Sequence, residues 1–127
     1  MLHAEVTAEI IRSFYSVYKT LGFGFLEKVY ENSMLIDLSA RNRQVQQQVP
    51  IDVHYNGFKV GKYFADLFVD RRVIVEIKAV ENLIPEHELQ LINYLKATEV
   101  EVGLLLNFGP QPRFIRKVFS NGRKPSA

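Results

Sequence analysis

The stretch Val73-Ile74-Val75-Glu76-Ile77-Lys78 constrains this chain more than any other. A run so rich in β-branched residues suits a central strand covered on both faces. Yet it holds a carboxylate and an ammonium two residues apart. Side chains alternate along a strand, so Val73, Val75 and Ile77 share one face and Ile74, Glu76 and Lys78 the other. Charged groups are almost never fully buried unless paired or ligated. Taken alone, the strand allows two accounts: a plain Glu–Lys pair at the open end of a sheet, or a functional site.

The segment before it bears on the choice. Tyr63-Phe64-Ala65-Asp66-Leu67-Phe68-Val69 places a second acid inside a second apolar run. Cross-strand partners share a face. If Val69 pairs with Val73 across a three-residue loop, Asp70-Arg71-Arg72, Asp66 falls opposite Glu76. A two-residue loop without a bulge would send the carboxylates to opposite faces. Two acids on one apolar surface therefore require the longer loop.

The rest of the chain reads as helices and strands of one α/β domain, in the order α-α-β-β-β-α-β. Val6, Ile10, Ile11, Phe14, Val17, Tyr18 and Leu21 recur at steps of three and four, an amphipathic helix that Gly22 and Gly24 end. A second helix is expected from about Phe25 to about Ala40, apolar at Leu26, Val29, Tyr30, Met34, Leu35 and Leu38. Alternation from Val45 to Tyr55 marks a strand, and Pro50 makes it an edge strand or a bulged one. Asn56-Gly57 is a hairpin signal leading into a strand from Phe58 to about Val69. Pro85, with Glu86 and Glu88 behind it, opens a helix reaching about Ala97. Val102 to Leu106 suits a buried strand, and Phe114 to Phe119 a last short strand or a helical turn. The 127 residues fit a single domain, residues 1–127, and 47% hydrophobic content provides for a core. There is no cysteine, which excludes disulfides, iron–sulfur clusters, thiolate zinc sites and a thiol nucleophile. No apolar run approaches the roughly 18 residues of a membrane span, and Met1 to Glu5 lacks the pattern of a signal peptide. A cytoplasmic protein without membrane contact is the expectation.

A third acid breaks the apolar pattern. At about 100° per residue, Met34 and Leu38 lie about 20° to either side of Glu27, so Glu27 sits within the apolar arc of its helix. The alternative is a helix-start glutamate favoured by the dipole. In the third helix His87, Gln90, Leu91 and Tyr94 form one stripe, and Gln90 and Tyr94 can hydrogen-bond to a phosphate or to carboxylates. His87 is left outside the metal set. Asp and Glu oxygens without thiolate suit a hard cation, Mg²⁺ or Mn²⁺. Carboxylates, such an ion and a neighbouring lysine are the parts required for phosphodiester hydrolysis. No nucleotide-binding glycine motif or serine-hydrolase elbow occurs. The formal charge is +2, but residues 109–127 carry +5 through Arg113, Arg116, Lys117, Arg123 and Lys124, leaving −3 on the remainder. That basic C-terminal segment is either a solvated end or a contact for an anionic partner such as nucleic acid.

Asp66, nine intervening residues and Glu76-Ile77-Lys78 resemble the D-x(n)-E-x-K signature of the PD-(D/E)XK nuclease superfamily. Gly24-Phe25-Leu26-Glu27-Lys28-Val29-Tyr30 resembles the motif that names its GxxExxY protein family. The likeness continues through Ala65-Asp66-Leu67, Leu89 to Leu95 and Val102 to Gly109. It implies a restriction-endonuclease-like core, a mixed sheet flanked by helices. By the same resemblance, Asp66 and Glu76 are metal ligands together with the Ile77 carbonyl, and Glu27 reaches the metal directly or through water. Lys78 orients the attacking water or stabilises the phosphorane. Gln90 and Tyr94 match the Q-x-x-x-Y element of RecB-like nucleases and, with Tyr30, support the site. Ala65 stands where many members have proline. The implied activity is Mg²⁺- or Mn²⁺-dependent hydrolysis of DNA to a 5′-phosphate and a 3′-hydroxyl, with RNA left open. The competing reading is a non-catalytic module that binds nucleic acid or a protein partner on the same fold. Archaeal Holliday-junction resolvases of similar size act as dimers, so a homodimer is a further expectation.

Overall fold

The computed structural model describes residues 1–124. The last three residues of the basic segment lie outside the described residues. Two helices, α1 (Ala4–Leu21) and α2 (Glu27–Ala40), precede the strands β1 (Val45–Tyr55), β2 (Phe58–Val69) and β3 (Val73–Lys78). Helix α3 (Pro85–Lys96) then leads to β4 (Val102–Phe108) and β5 (Pro112–Val118). The sheet is ordered β1-β2-β3-β4-β5, with β3 and β4 parallel and the other neighbours antiparallel. A parallel pair needs a crossover, and α3 supplies it.

Each face of the sheet is buried by a different layer. Val6, Ile10, Phe14 and Val17 of α1 and Tyr30, Met34 and Leu38 of α2 pack on Leu67, Val75, Ile77, Leu104 and Leu106. On the other face Leu91, Tyr94 and Leu95 of α3 cover Ile51, Ala65, Ile74 and Leu105. Strand β4, buried at every residue, lies between the two layers. Removing a side chain such as Leu104 down to alanine costs about 2–5 kcal/mol in such a setting.

Local chemistry explains the turns. Asn56 and Gly57 both have positive φ, 50° and 80°, and join Tyr55 to its partner Phe58. Those values match the tight turn that a right-twisted hairpin needs. The β2–β3 turn is the three-residue loop Asp70-Arg71-Arg72, and the register Val69↔Val73, Phe68↔Ile74, Leu67↔Val75 is the one that the apolar pattern predicts. Strand β1 is at the sheet edge, and its register with β2 shifts between Val53 and His54. Pro50 thus sits where a missing N–H is tolerated.

Of the two alternatives for the segment from Phe114, the strand is the one found, and it adds a fifth strand to the order read from sequence. Two other expectations need correction. Helix α2 begins at Glu27 rather than about Phe25, and Leu26 and Val29 are exposed instead of buried. The basic segment is largely built into the protein: Arg116 donates to the Leu2 carbonyl (2.7 Å), Lys117 pairs with Glu88 (2.8 Å), and the Lys124 ammonium donates to the carbonyls of Thr98 and Val100.

Behind β3 a short clamp sets the path to α3. Buried Asn107 accepts from the Val80 N–H and donates to the Val80 carbonyl, both at 3.0 Å. Gly109 lies so close to that same carbonyl that any side chain would strike it. The chain leaving Lys78 is thereby held against the end of β4.

Candidate active site

The β2–β3 ladder stops at Leu67↔Val75. Beyond that point β2 continues with β1 alone, while β3 continues with β4 through Glu76↔Leu105, Ile77↔Leu106 and Lys78↔Asn107. The sheet therefore forks, and two acidic side chains stand in the fork. The Asp66 N–H donates to Glu76 Oε2 (2.8 Å), and the Ile77 N–H donates to Asp66 Oδ2 (2.7 Å). Each carboxylate satisfies a backbone donor that the opened ladder leaves behind. Both are thus fixed by main chain rather than by rotamer preference alone. Glu76 is engaged by this bond, which answers the simple Glu76–Lys78 pair: the acid's partner is the Asp66 backbone.

Crowding shows in the titration of these groups. Glu76 is 4% exposed. Burial pushes its carboxyl up to about 8, the Asp66 charge adds to the rise, and the Asp66 N–H and Lys78 oppose it. Burial likewise raises Asp66, against the Ile77 N–H bond, with Glu31 adding to the rise and Gln48 and Lys78 opposing it. Glu27, though exposed as a residue, has its carboxyl raised first by desolvation, lowered by Lys78 and raised by Asp66. Lys78 is thus the cation that favours the ionised form of all three acids, a half-buried ammonium at the end of β3.

Helix α3 supplies the opposite wall. Gln90 Nε2 donates to the Tyr94 hydroxyl (3.0 Å), one turn apart on the helix. Burial, then the Glu76 charge, pushes the Tyr94 phenol up to about 12, with the Gln90 bond opposing. The hydroxyl stays protonated beside the acids at any physiological pH. His87 acts locally, where its Nδ1 accepts from the Ile84 N–H (3.1 Å) at the start of α3.

Glu31 is the residue that the sequence reading missed. It is 3% exposed, one turn after Glu27 on α2. Its Oε2 accepts from Lys28 Nζ (3.0 Å) and Gln47 Nε2 (2.7 Å), and its Oε1 from Gln48 Nε2 (2.7 Å). The same Gln48 amide reaches Asp66 Oδ1 (3.3 Å). A polar relay therefore runs from α2 through β1 to the fork. Gln48 takes φ of 51° to do so, a left-handed conformation that costs a non-glycine residue about 1–2 kcal/mol. The available signal was spacing: Glu31 shares the Met34–Leu38 stripe with Glu27 and faces two successive glutamines on β1.

Tyr30 lies away from the fork. It is fully buried, stacked on Phe108 at 4.3 Å, and its hydroxyl donates to the Gly22 carbonyl (2.7 Å) while accepting from the Phe25 N–H (3.2 Å). Its support is structural, holding the turn that presents Glu27.

The donor set at the fork is hard oxygen, and two crowded acids with raised pKa values are relieved by a cation. A full side-chain cage is not formed: among the described residues, no group of three or more His, Asp or Glu side chains is arranged to hold a metal ion. Ile77 meets Asp66 through its N–H. The set that fits an ion is two carboxylates, with backbone and water completing it, a pattern suited to Mg²⁺, which keeps several waters and takes one or two carboxylates.

A family model described as the PD-(D/E)XK nuclease superfamily matches residues 4–118. No curated protein matches the chain in sequence. Among solved structures, the crystal structure of SSO0001 is similar, with a TM-score of 0.59 and 20% identity. The match covers 92% of this chain and 59% of that one, so the chain spans about three-fifths of that structure's length. Likeness at this identity speaks for the fold alone. Among the described residues, no helix is long and apolar enough to cross a membrane.

Proposed function

This chain belongs to the PD-(D/E)XK nuclease superfamily, and from that premise we propose that it is a divalent-metal-dependent deoxyribonuclease of the GxxExxY type. The observation that carries the reading is the exchange at the fork, where Asp66 and Glu76 are pinned on one another's strands. Acids set side by side with raised pKa values are an arrangement that functional sites use.

Asp66 and Glu76 would hold the ion, with the Ile77 carbonyl as a backbone donor and Glu27 acting through water. When bound, Mg²⁺ or Mn²⁺ supplies positive charge that polarises a phosphoryl oxygen and makes a water more acidic. The remaining work falls to side chains. Lys78 places a cation beside the acids, where it offsets charge developing on the phosphorane or orients the attacking water. The neutral Tyr94 hydroxyl, held by Gln90, is a donor for a non-bridging phosphate oxygen. The Glu31–Gln48 relay fixes the Asp66 carboxylate from behind, which preserves its orientation as charge at the site changes. Hydrolysis leaves a 5′-phosphate and a 3′-hydroxyl. DNA is the proposed substrate, and a symmetric homodimer is the proposed assembly.

Incubation of supercoiled and branched DNA with the protein and Mg²⁺ or Mn²⁺ tests the reading. Cleavage lost in Asp66→Ala and in Glu76→Ala supports it. Metal-independent cleavage, or cleavage indifferent to both substitutions, overturns it. One observation favours a second reading, a module that binds nucleic acid without cutting: Asp66 and Glu76 each already accept from a backbone N–H. Binding of DNA with no cleavage under any divalent ion selects that alternative.

A further inference from the structure

The fork has a second consequence on the α3 side. Freed from β3, the outer half of the β1–β2 hairpin leans over α3, and a cleft of about 820 Å³ opens between them. Tyr63 of the hairpin and Tyr94 of α3 meet there with ring centroids 5.8 Å apart and planes tilted by 45°. Tyr94, whose phenol feels the Glu76 and Asp66 charges, lines the cleft together with its hydrogen-bond partner Gln90, so cleft and candidate active site share a wall.

Two properties restrict the occupant. The first is size. The volume equals that of a cube about 9 Å on edge, and it lies in the roughly 300–1,000 Å³ range of clefts that enclose small organic groups. A duplex does not enter; an unstacked base does. The second is chemistry. Lys96 and Lys124 are balanced by Glu86 and Glu99, so the cleft has no surplus of cations for phosphate. It offers instead the half-exposed ring of Tyr63 for stacking and the amides of Gln90 and Asn93 for a base edge. Aromatic rings and amides are the groups that bind unpaired bases.

We propose that this cleft is a subsite for an unpaired nucleobase next to the scissile phosphate, so that the preferred substrate carries single-stranded nucleotides at the point of cleavage. The inference rests on the nuclease reading for the position of the phosphate, but base capture itself is independent of turnover. Tyr63 is the stacking platform, and Asn93, exposed on α3, is the polar reader.

Fluorescence anisotropy in EDTA tests it, with a labelled 12-mer of deoxythymidine, an abasic 12-mer of the same backbone and a blunt 12-base-pair duplex. The thymidine strand is expected to bind at least tenfold more tightly than either of the others. Tyr63→Ala should lower that affinity at least fivefold and Tyr63→Phe should retain it, because stacking needs the ring and not the hydroxyl. Should Tyr63→Ala fail to fold by circular dichroism, Asn93→Leu provides the reading, with an expected loss of at least threefold. Equal binding of thymidine and abasic strands, or affinity unchanged in the folded variants, overturns the subsite. Base-dependent binding without any metal-dependent cleavage overturns the nuclease reading alone. Carboxylate-dependent cleavage with base-independent binding overturns the subsite alone.

Discussion

The backbone N–H of Asp66 donates to the Glu76 carboxylate at 2.8 Å, while the Asp66 carboxylate accepts from the residue after Glu76, Ile77, at 2.7 Å. The two strands are stitched by their acids at the point where backbone pairing ends. This places two acidic groups side by side, Glu76 buried and Asp66 half-buried, with a measurable effect on stability.

A Glu76 carboxyl held at about 8 stays protonated in the folded state while its unfolded counterpart, near 4.5, ionises. Below about 4.5 both forms are protonated and no stability is lost. As pH rises from there to about 8, the unfolded chain releases a proton that the folded chain keeps, so folding becomes less favourable; above about 8 the loss is constant. The Tm of the metal-free protein should therefore fall between pH 5 and pH 8, and Glu76→Gln should flatten that fall. Mn²⁺ should raise Tm more at pH 8 than at pH 5.5, because ligands bind as carboxylates. Calorimetric scans across this range check both, and an equal slope in wild type and Glu76→Gln refutes the assignment.

Lys78→Ala should leave Mn²⁺ binding by titration calorimetry close to that of the wild type and lower the cleavage rate about 10²–10³-fold, the size expected on losing one group that stabilises a developing charge. A rate within threefold of wild type removes Lys78 from the mechanism.

Glu31→Ala deserts three donors, those of Lys28, Gln47 and Gln48. The buried site then loses about 1–3 kcal/mol, seen as a drop in Tm. Cleavage should fall as well, because Gln48 is no longer held against Asp66. Glu31→Gln keeps the volume and one acceptor and should recover part of both. A Glu31→Ala protein with wild-type stability contradicts the relay.

Gly109→Ala should destabilise more than Asn107→Ala. The added methyl meets the Val80 carbonyl, a backbone group that cannot swing aside, whereas Asn107→Ala only leaves Val80 unpartnered. Asn107→Ala should cost about 1–3 kcal/mol. Urea unfolding of both variants ranks them.

Much of the fold is legible in order of local strength. Asn56-Gly57 announces its hairpin because both positions need positive φ. The match of Val69 to Val73 fixes the register that carries Asp66 alongside Glu76, since a one-residue slip would send the two acids to opposite faces. Pro50 marks an edge strand because it cannot donate. The fork itself is not legible: a ladder ends for tertiary reasons, through what packs on either side. Glu31 escapes notice because a glutamate is buried only when donors from elsewhere surround it, here Gln47 and Gln48 from β1. Leu26 and Val29 mislead because helical periodicity assigns a face without saying whether anything packs on it. The basic C-terminal run misleads similarly, since charge counts do not reveal that Arg116, Lys117 and Lys124 are engaged by Leu2, Glu88, Thr98 and Val100.

The parallel pairing of β3 with β4 has a bearing on biosynthesis. Strand β3 is fixed on one side by a hairpin already translated and on the other by residues 102–107, which emerge from the ribosome after all of α3. Contacts so distant along the chain form late, since loop closure must precede them. The two acids therefore acquire their full setting only after residues 102–107 have been made, and a nascent fragment ending before Val102 carries the carboxylates without the strand that backs them.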